Sequence, residues 1–217
     1  MKVFITRNIK ENSPLRSINV DMEGHSLLTF NQIEFDTFPE TDWIFFYSAN
    51  GVRFFAKQVK YLGYKINAKI GVMGPGTASA YEALFGVLPD FVGDGLKDVA
   101  IEFFNSNNES ILFVKGSNSL ESVERFIDSS RFEELIVYSN EINKNATIPE
   151  ADIYILTSPL NAQAYMDVSC CRFNTRIIAI GPSTNSRLME KGFLLASVPD
   201  TPSEESIATL LKTMCHV

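Results

Sequence analysis

Asp42-Trp-Ile-Phe-Phe-Tyr-Ser48, followed by a helical pattern and then by Ile70-Gly-Val-Met-Gly-Pro-Gly-Thr77, is the stretch that decides the fold. It is repeated as Asp152-Ile-Tyr-Ile-Leu-Thr-Ser158, a second helical pattern, and Ile177-Ile-Ala-Ile-Gly-Pro-Ser-Thr184. Each copy is interpreted as a buried strand, a helix and a second strand ending in a Gly-Pro turn, which is typical of a parallel sheet covered by helices. Chance similarity is the alternative, because every parallel α/β sheet repeats the βα unit.

A looser pair of segments accompanies this repeat. Lys2–Arg7 leading to Ile33–Phe35 resembles Ile111–Gly116 leading to Leu135–Tyr138, and both pairs are interpreted as strand, helix, strand. The four segments therefore follow the order A, B, A′, B′ along the chain. This order predicts two similar lobes, each a parallel sheet flanked by helices.

The lobe boundaries follow from that order. One lobe is expected to be continuous over residues 38–138, and the other to be discontinuous, formed by residues 1–34 and 143–217. Residues 35–37 and 139–142 are then expected to be linker strands, with a cleft between the lobes.

The composition of the chain limits which binding partners and which cellular compartment are expected. The 217 residues carry a formal net charge of −7, which argues against nucleic acid and acidic membranes as partners, because both bind mainly through Lys and Arg. There is no apolar run of the roughly 20 residues that span a bilayer, and the first ten residues lack the features of a signal peptide, so we expect a cytoplasmic protein. Three cysteines, Cys170, Cys171 and Cys215, show no metal-ligand spacing and are expected to be buried, reduced thiols.

The candidate binding residues follow the apolar strands. In open parallel sheets, ligands bind beyond the carboxyl ends of the strands, where helix N-termini present unpaired N–H groups and a partial positive charge. Carboxylates or phosphates are therefore favoured there. The alternative is that the hydroxyl residues are only helix caps and the glycines only turn residues. The predicted binding residues are Ser48, Thr77, Gly116, Ser117, Ser158, Ser183 and Thr184.

No motif in the sequence indicates nucleotide or metal chemistry. The Gly74-Pro-Gly-Thr77 run lacks the lysine of a phosphate-binding loop and the spacing of a dinucleotide-binding motif, and HExxH, GxSxG and CxxC are missing. We therefore expect neither a cofactor nor a metal.

At these residues the sequence is similar to a known enzyme family. Phe45-Phe-Tyr-Ser-Ala-Asn-Gly-Val52 resembles its F-T-S-x-N-A-V signature, with Tyr47 and Gly51 as departures. The other matching segments are Val72–Ala78 (VG-x-x-TA), Phe113–Gly116 (L-R-G), Ile136–Tyr138 (V-Y), Leu156–Pro159 (F-(T/S)-S-P) and Ala179–Thr184 (A-I-G-x-x-T). The family is the uroporphyrinogen-III synthases.

The resemblance implies fold, reaction and site. It implies two flavodoxin-like lobes joined by a two-stranded linker, and a monomer that closes hydroxymethylbilane into a ring with loss of water and inversion of ring D. It also implies that the hydroxyl of Tyr138 donates a proton to the departing hydroxyl, although Tyr138 could instead only anchor the interlobe strand. Arg7 and Lys115 are expected to be solvated.

Two other functions stay open at this point. A non-catalytic two-lobed protein that closes on an anionic small molecule would share the cleft and the helix N-termini. A single flavodoxin-like domain of an oxidoreductase would share the strand and helix pattern, but the missing phosphate-loop motif argues against it.

Overall fold

The computed structural model describes residues 1–119, 123–168 and 175–215, with residue 215 described by its backbone alone. Within these residues the strands are β1 Lys2–Ile5, β2 Asp21–Gly24, β3 Leu28–Gln32, β4 Trp43–Phe46, β5 Lys69–Val72, β6 Phe91–Val92, β7 Ile111–Gly116, β8 Phe132–Ile142, β9 Ile153–Leu156 and β10 Arg176–Ala179. The α-helices are α1 Ala49–Leu62, α2 Pro75–Phe85, α3 Lys97–Asn105, α4 Pro159–Val168, α5 Pro182–Glu190 and α6 Glu204–Cys215.

The chain divides into two compact units. The discontinuous unit comprises Met1–Thr29 and Glu141–Val217, and the continuous unit comprises Phe30–Asn140. The chain passes between them within β3 and again within β8, which are neighbours in one sheet.

The continuous unit is built on the sheet β3-β8-β7-β4-β5-β6, in which the strands from β8 to β6 run parallel. Alternate residues of β4 face opposite sides of this sheet. Ile44 and Phe46 lie in a core shared with α1 and α2, whereas Trp43 and Phe45 lie in a core shared with α3. Helices thus cover both faces, which explains why β4 is an uninterrupted apolar run.

The discontinuous unit is built on the parallel sheet β10-β9-β1-β2. Val3 and Ile5 of β1 pack with Ile207 and Leu211 of α6. Phe4 points to the opposite face of the strand. The prediction of an α/β fold with parallel sheets flanked by helices is confirmed.

The first crossing differs from the sequence-based interpretation. Ile33–Phe35 was expected to be a strand, but the strand is β3, Leu28–Gln32, and residues 33–35 have no regular structure. Hydrogen bonds from Ile33 N–H to the Val137 carbonyl (3.0 Å) and from Asn143 N–H to the Leu27 carbonyl (2.9 Å) flank this strand. These pairings run in opposite directions along the chain, so β3 is antiparallel to β8.

The helix signals in the sequence are mostly well placed. Ser48 caps α1, Gly63 ends it in the left-handed conformation (φ 71°), and proline opens α2, α4 and α5. α6 begins at Glu204 and is capped by Ser203, whose Oγ accepts a hydrogen bond from Ser206 N–H at 3.1 Å. Cys170 and Cys171 lie outside the described residues, as does the side chain of Cys215.

Candidate active site

Three of the predicted residues, Tyr138, Ser48 and Gly116, meet beyond the carboxyl end of β4 in the continuous unit. The Tyr138 hydroxyl lies 3.2 Å from Ser48 Oγ. Ser48 Oγ also accepts a hydrogen bond from Gly51 N–H at 3.1 Å, so the same hydroxyl both caps α1 and contacts Tyr138. Gly116 ends β7 and is paired with Tyr138 across a register shift in the β7–β8 ladder.

The phenol of Tyr138 is enclosed by aromatic rings. Only 8% of the residue is exposed; its ring stacks on Phe54 with centroids 5.3 Å apart and lies 6.0 Å from Phe30. Burial raises the pKa of Tyr138 above its ordinary value, and the hydrogen bond with Ser48 offsets this only in part. The hydroxyl therefore keeps its proton at neutral pH, as a proton donor must.

Gly116 provides the space that the Tyr138 ring occupies. A Cβ at this position would lie 2.5 Å from Tyr138 Cζ and 2.9 Å from its hydroxyl oxygen. Ordinary carbon contacts begin near 3.4 Å. The glycine is therefore required by the close approach of the ring, which agrees with the use of glycine where another group comes near the backbone.

Ser117 and Thr77 have more limited roles. The Ser117 N–H donates to the Tyr138 carbonyl at 2.9 Å, so this N–H belongs to the β7–β8 ladder, and the side chain is exposed. Thr77 is buried in the first turn of α2, where its N–H donates to the Gly74 carbonyl at 3.0 Å. Gly74 itself is fixed by packing, because a Cβ there would lie 2.9 Å from Gly95 N.

In the discontinuous unit, Ser158 works together with a residue that the sequence analysis missed. Ser158 Oγ accepts hydrogen bonds from both the backbone N–H and the side-chain amide of Asn161, at 3.1 and 3.0 Å. Asn161 is only 4% exposed, and its Oδ1 accepts from Leu27 N–H at 3.0 Å. Asn161 thus ties the start of α4 to the segment that leads into β3.

The two Gly-Pro turns of the repeat have the same backbone conformation. Gly74 has φ −171° and ψ 179°, and Gly181 has φ −170° and ψ 178°, each followed by a proline at the first helical position. Beyond Gly181, Ser183 is exposed, whereas Thr184 is fully buried. Thr184 Oγ1 has no hydrogen-bond partner among the described residues.

Lys115 is not solvated, in contrast to the expectation from sequence. Its side chain is 4% exposed, and Nζ lies 3.2 Å from Glu124 Oε1 and 2.5 Å from Glu134 Oε1. Tyr47 donates a hydrogen bond to the second oxygen of Glu124. Burial, followed by this hydrogen bond, raises the pKa of Tyr47. The charge of Lys115 is therefore paired with two carboxylates, and the side chain belongs to a buried network.

The family follows from a match along most of the chain. The model of a family described as uroporphyrinogen-III synthase HemD matches residues 28–209. The chain belongs to the uroporphyrinogen-III synthase family. Members of this family are cyclising lyases of tetrapyrrole biosynthesis, which act on a small-molecule tetrapyrrole.

Solved structures of this family have the same fold. The uroporphyrinogen-III synthetase of Helicobacter pylori is similar with a TM-score of 0.70 at 17% identity, over 98% of this chain and 99% of that chain. A mutant uroporphyrinogen III synthase of Thermus thermophilus is similar with a TM-score of 0.60 at 12% identity, over 100% and 99% of the two chains. A search of curated proteins finds no significant match.

Two further features concern the described part of the chain. Its helices include none with the length and hydropathy needed to cross a membrane. Its His, Cys, Asp and Glu side chains form no group of three that could hold a metal ion.

Proposed function

We propose that the chain converts hydroxymethylbilane into uroporphyrinogen III. In this reaction the terminal hydroxyl leaves as water, ring D attacks the resulting azafulvene cation through its substituted carbon, and the spiro intermediate fragments and closes again with ring D inverted. The family match over residues 28–209 is the observation that carries the proposal.

Tyr138 is the proton donor in this proposal. Departure of the hydroxyl as water requires a proton, and the phenol of Tyr138 retains its proton at neutral pH because burial raises its pKa. Its position is fixed by the Ser48 hydroxyl at 3.2 Å and by the stacked ring of Phe54. A donor held in this way loses little freedom when the substrate binds, which favours catalysis by orientation.

The strand-end turns bind the substrate carboxylates. Hydroxymethylbilane carries eight carboxylates, and a helix N-terminus offers partial positive charge without a basic side chain. This suits a chain with a net charge of −7. The proposed binding residues are Ser48, Thr77, Gly116, Ser117, Ser158, Ser183 and Thr184.

A coupled assay tests the function. Porphobilinogen and its deaminase supply hydroxymethylbilane in the cuvette, the chain is added, and the products are oxidised and separated by chromatography into isomers I and III. We expect isomer III to dominate with the chain and isomer I without it. A product mixture that stays at isomer I would refute the proposal and would favour a protein that only binds an anionic small molecule.

The proposal extends to a monomer that acts in the cytoplasm. Three cysteines without metal-ligand spacing suit a reducing compartment. Sedimentation equilibrium tests the monomer, and cell fractionation tests the compartment.

A further inference from the structure

Arg7 lies at the carboxyl end of the sheet in the discontinuous unit, where the predicted binding residues of that unit also lie. β1 ends at Ile5, and the Thr6 hydroxyl accepts a hydrogen bond from Thr157 N–H at 2.9 Å. This bond ties the end of β1 to the end of β9. Arg7 and Ser158 are the next residues along the two neighbouring strands.

Arg7 brings a permanent positive charge to this edge. The eight described residues that occupy the first two places after β1, β2, β9 and β10 include a single lysine or arginine, which is Arg7. An arginine at a sheet edge is suited to carboxylates, because its planar guanidinium donates to both oxygens of one carboxylate.

The guanidinium of Arg7 is only partly satisfied. Its Nη2 lies 3.0 Å from Glu204 Oε1, while a third of the side chain is exposed. Nε and Nη2 are both buried, and neither makes a well-aligned hydrogen bond among the described residues, so the contact with Glu204 is an ion pair only. Burial lowers the pKa of Arg7, and the carboxylates of Glu204 and Glu205 act in the opposite direction. A buried donor without a partner is unusual in a folded protein and calls for an explanation.

Glu204 holds this guanidinium at the start of α6. Glu204 is the first residue of α6, and its second oxygen accepts a hydrogen bond from Ser13 Oγ at 2.5 Å. Pro202, two residues earlier, is the nearest group to a Cβ placed on Gly181, at 3.8 Å. The ion pair therefore lies at the N-terminus of α6, close in sequence to the proline that approaches Gly181.

Arg7 and Lys115 are thus opposite cases. Lys115 is enclosed and neutralised by two carboxylates, whereas Arg7 has an ion pair with Glu204, a buried Nε without a partner among the described residues, and an exposed portion. We propose that Arg7 binds a carboxylate of the tetrapyrrole substrate, which displaces the carboxylate of Glu204 from the guanidinium. This inference rests on the proposed function.

Kinetics of three variants in the coupled assay test this role. Arg7→Gln is expected to raise KM for hydroxymethylbilane about 10- to 100-fold with little change in kcat, because a hydrogen bond to a charged group is lost from ground state and transition state alike. Glu204→Gln is expected to leave KM unchanged or to lower it, because it removes the competing carboxylate. Arg187→Gln is the control, since it removes one positive charge from the same unit at an exposed pair with Glu190, and its KM should equal that of the wild type.

A purely structural ion pair gives a different pattern. Arg7→Gln and Glu204→Gln would then lower the melting temperature by the same amount. They would also either leave KM at the wild-type value or raise KM equally, and either result overturns the proposal. Should Arg7→Gln not fold, Arg7→Lys carries the test: it keeps the charge but not the planar pair of donors, so KM should rise several-fold, and an unchanged KM overturns the role. Formation of isomer III by the wild type is scored separately, so failure of this role and failure of the proposed function are distinguishable.

Discussion

Replacing Gly116 by alanine tests whether the close contact with Tyr138 sets the geometry of the candidate site. The added Cβ would lie 2.5 Å from the Tyr138 ring, so the ring must move by about 1 Å to restore an ordinary contact. It cannot swing aside freely, because Phe54 stacks on it. We expect a loss of about 1–3 kcal/mol in the free energy of unfolding, the usual cost of overpacking a core.

The same displacement should reduce activity. A shift of the Tyr138 hydroxyl by about 1 Å changes its position relative to Ser48, and a misplacement of this size can cost roughly 100-fold in rate. Urea unfolding measures the first effect, and the rate of isomer III formation measures the second. Gly76→Ala is the matched control for stability, since a Cβ there meets nothing within 4 Å and alanine favours the helix by up to about 1 kcal/mol.

A double variant separates position from bulk. If Gly116→Ala acts by moving the tyrosine hydroxyl, it should slow the Tyr138→Phe enzyme much less than the wild type, because residues in contact show non-additive effects. Full activity and unchanged stability of Gly116→Ala would refute the reasoning. So would equal rate losses in the two backgrounds.

Three further predictions concern separate contacts. Tyr138→Phe should lower the rate of isomer III formation by about 100-fold while urea unfolding stays close to that of the wild type; an unchanged rate removes Tyr138 from the site. Asn161→Leu leaves the Leu27 N–H without its acceptor and should cost about 1–3 kcal/mol in the free energy of unfolding, whereas Asn161→Asp, which keeps an acceptor, should cost less. Lys115→Met leaves Glu124 buried and unpaired, so it should cost about 3–5 kcal/mol at pH 7. Burial lowers the pKa of Lys115 but its carboxylate partners raise it more, so the ion pair contributes fully to the free energy of unfolding below the ordinary lysine pKa of 10.5, and this contribution is lost as the pH rises further. The stability difference between the wild type and Lys115→Met should therefore shrink above pH 10.5, and a difference that stays constant there contradicts the ion pair.

Most of the strands that were predicted from sequence have mainly buried side chains. Trp43–Phe46 and Ile153–Leu156 are apolar throughout because helices cover both faces of their sheets. β2, Asp21–Gly24, has no such run; it alternates between exposed and half-buried residues at a sheet edge. β2 is held in the sheet by backbone hydrogen bonds to β1, and such bonds do not require a pattern of apolar residues in the sequence.

Local motifs in the sequence predicted the helix-capping residues of the candidate site. Ser48 and Ser158 were found because a capping serine lies next to its own helix. Asn161 was missed because its acceptor oxygen serves Leu27, 134 residues away. Lys115 was misjudged because a charged residue at a strand end is usually solvated, and its burial depends on Glu124.

The discontinuous unit also dictates an order of assembly during synthesis. β1 lies between β2 and β9, so its second neighbour is translated about 150 residues later. All strands of the other sheet are already present once residue 142 has left the ribosome. The continuous unit can therefore fold before β9, the second neighbour of β1, has been synthesised. A chain that ends after residue 145 should have a continuous unit that is protected from proteolysis, while its first 25 residues are degraded.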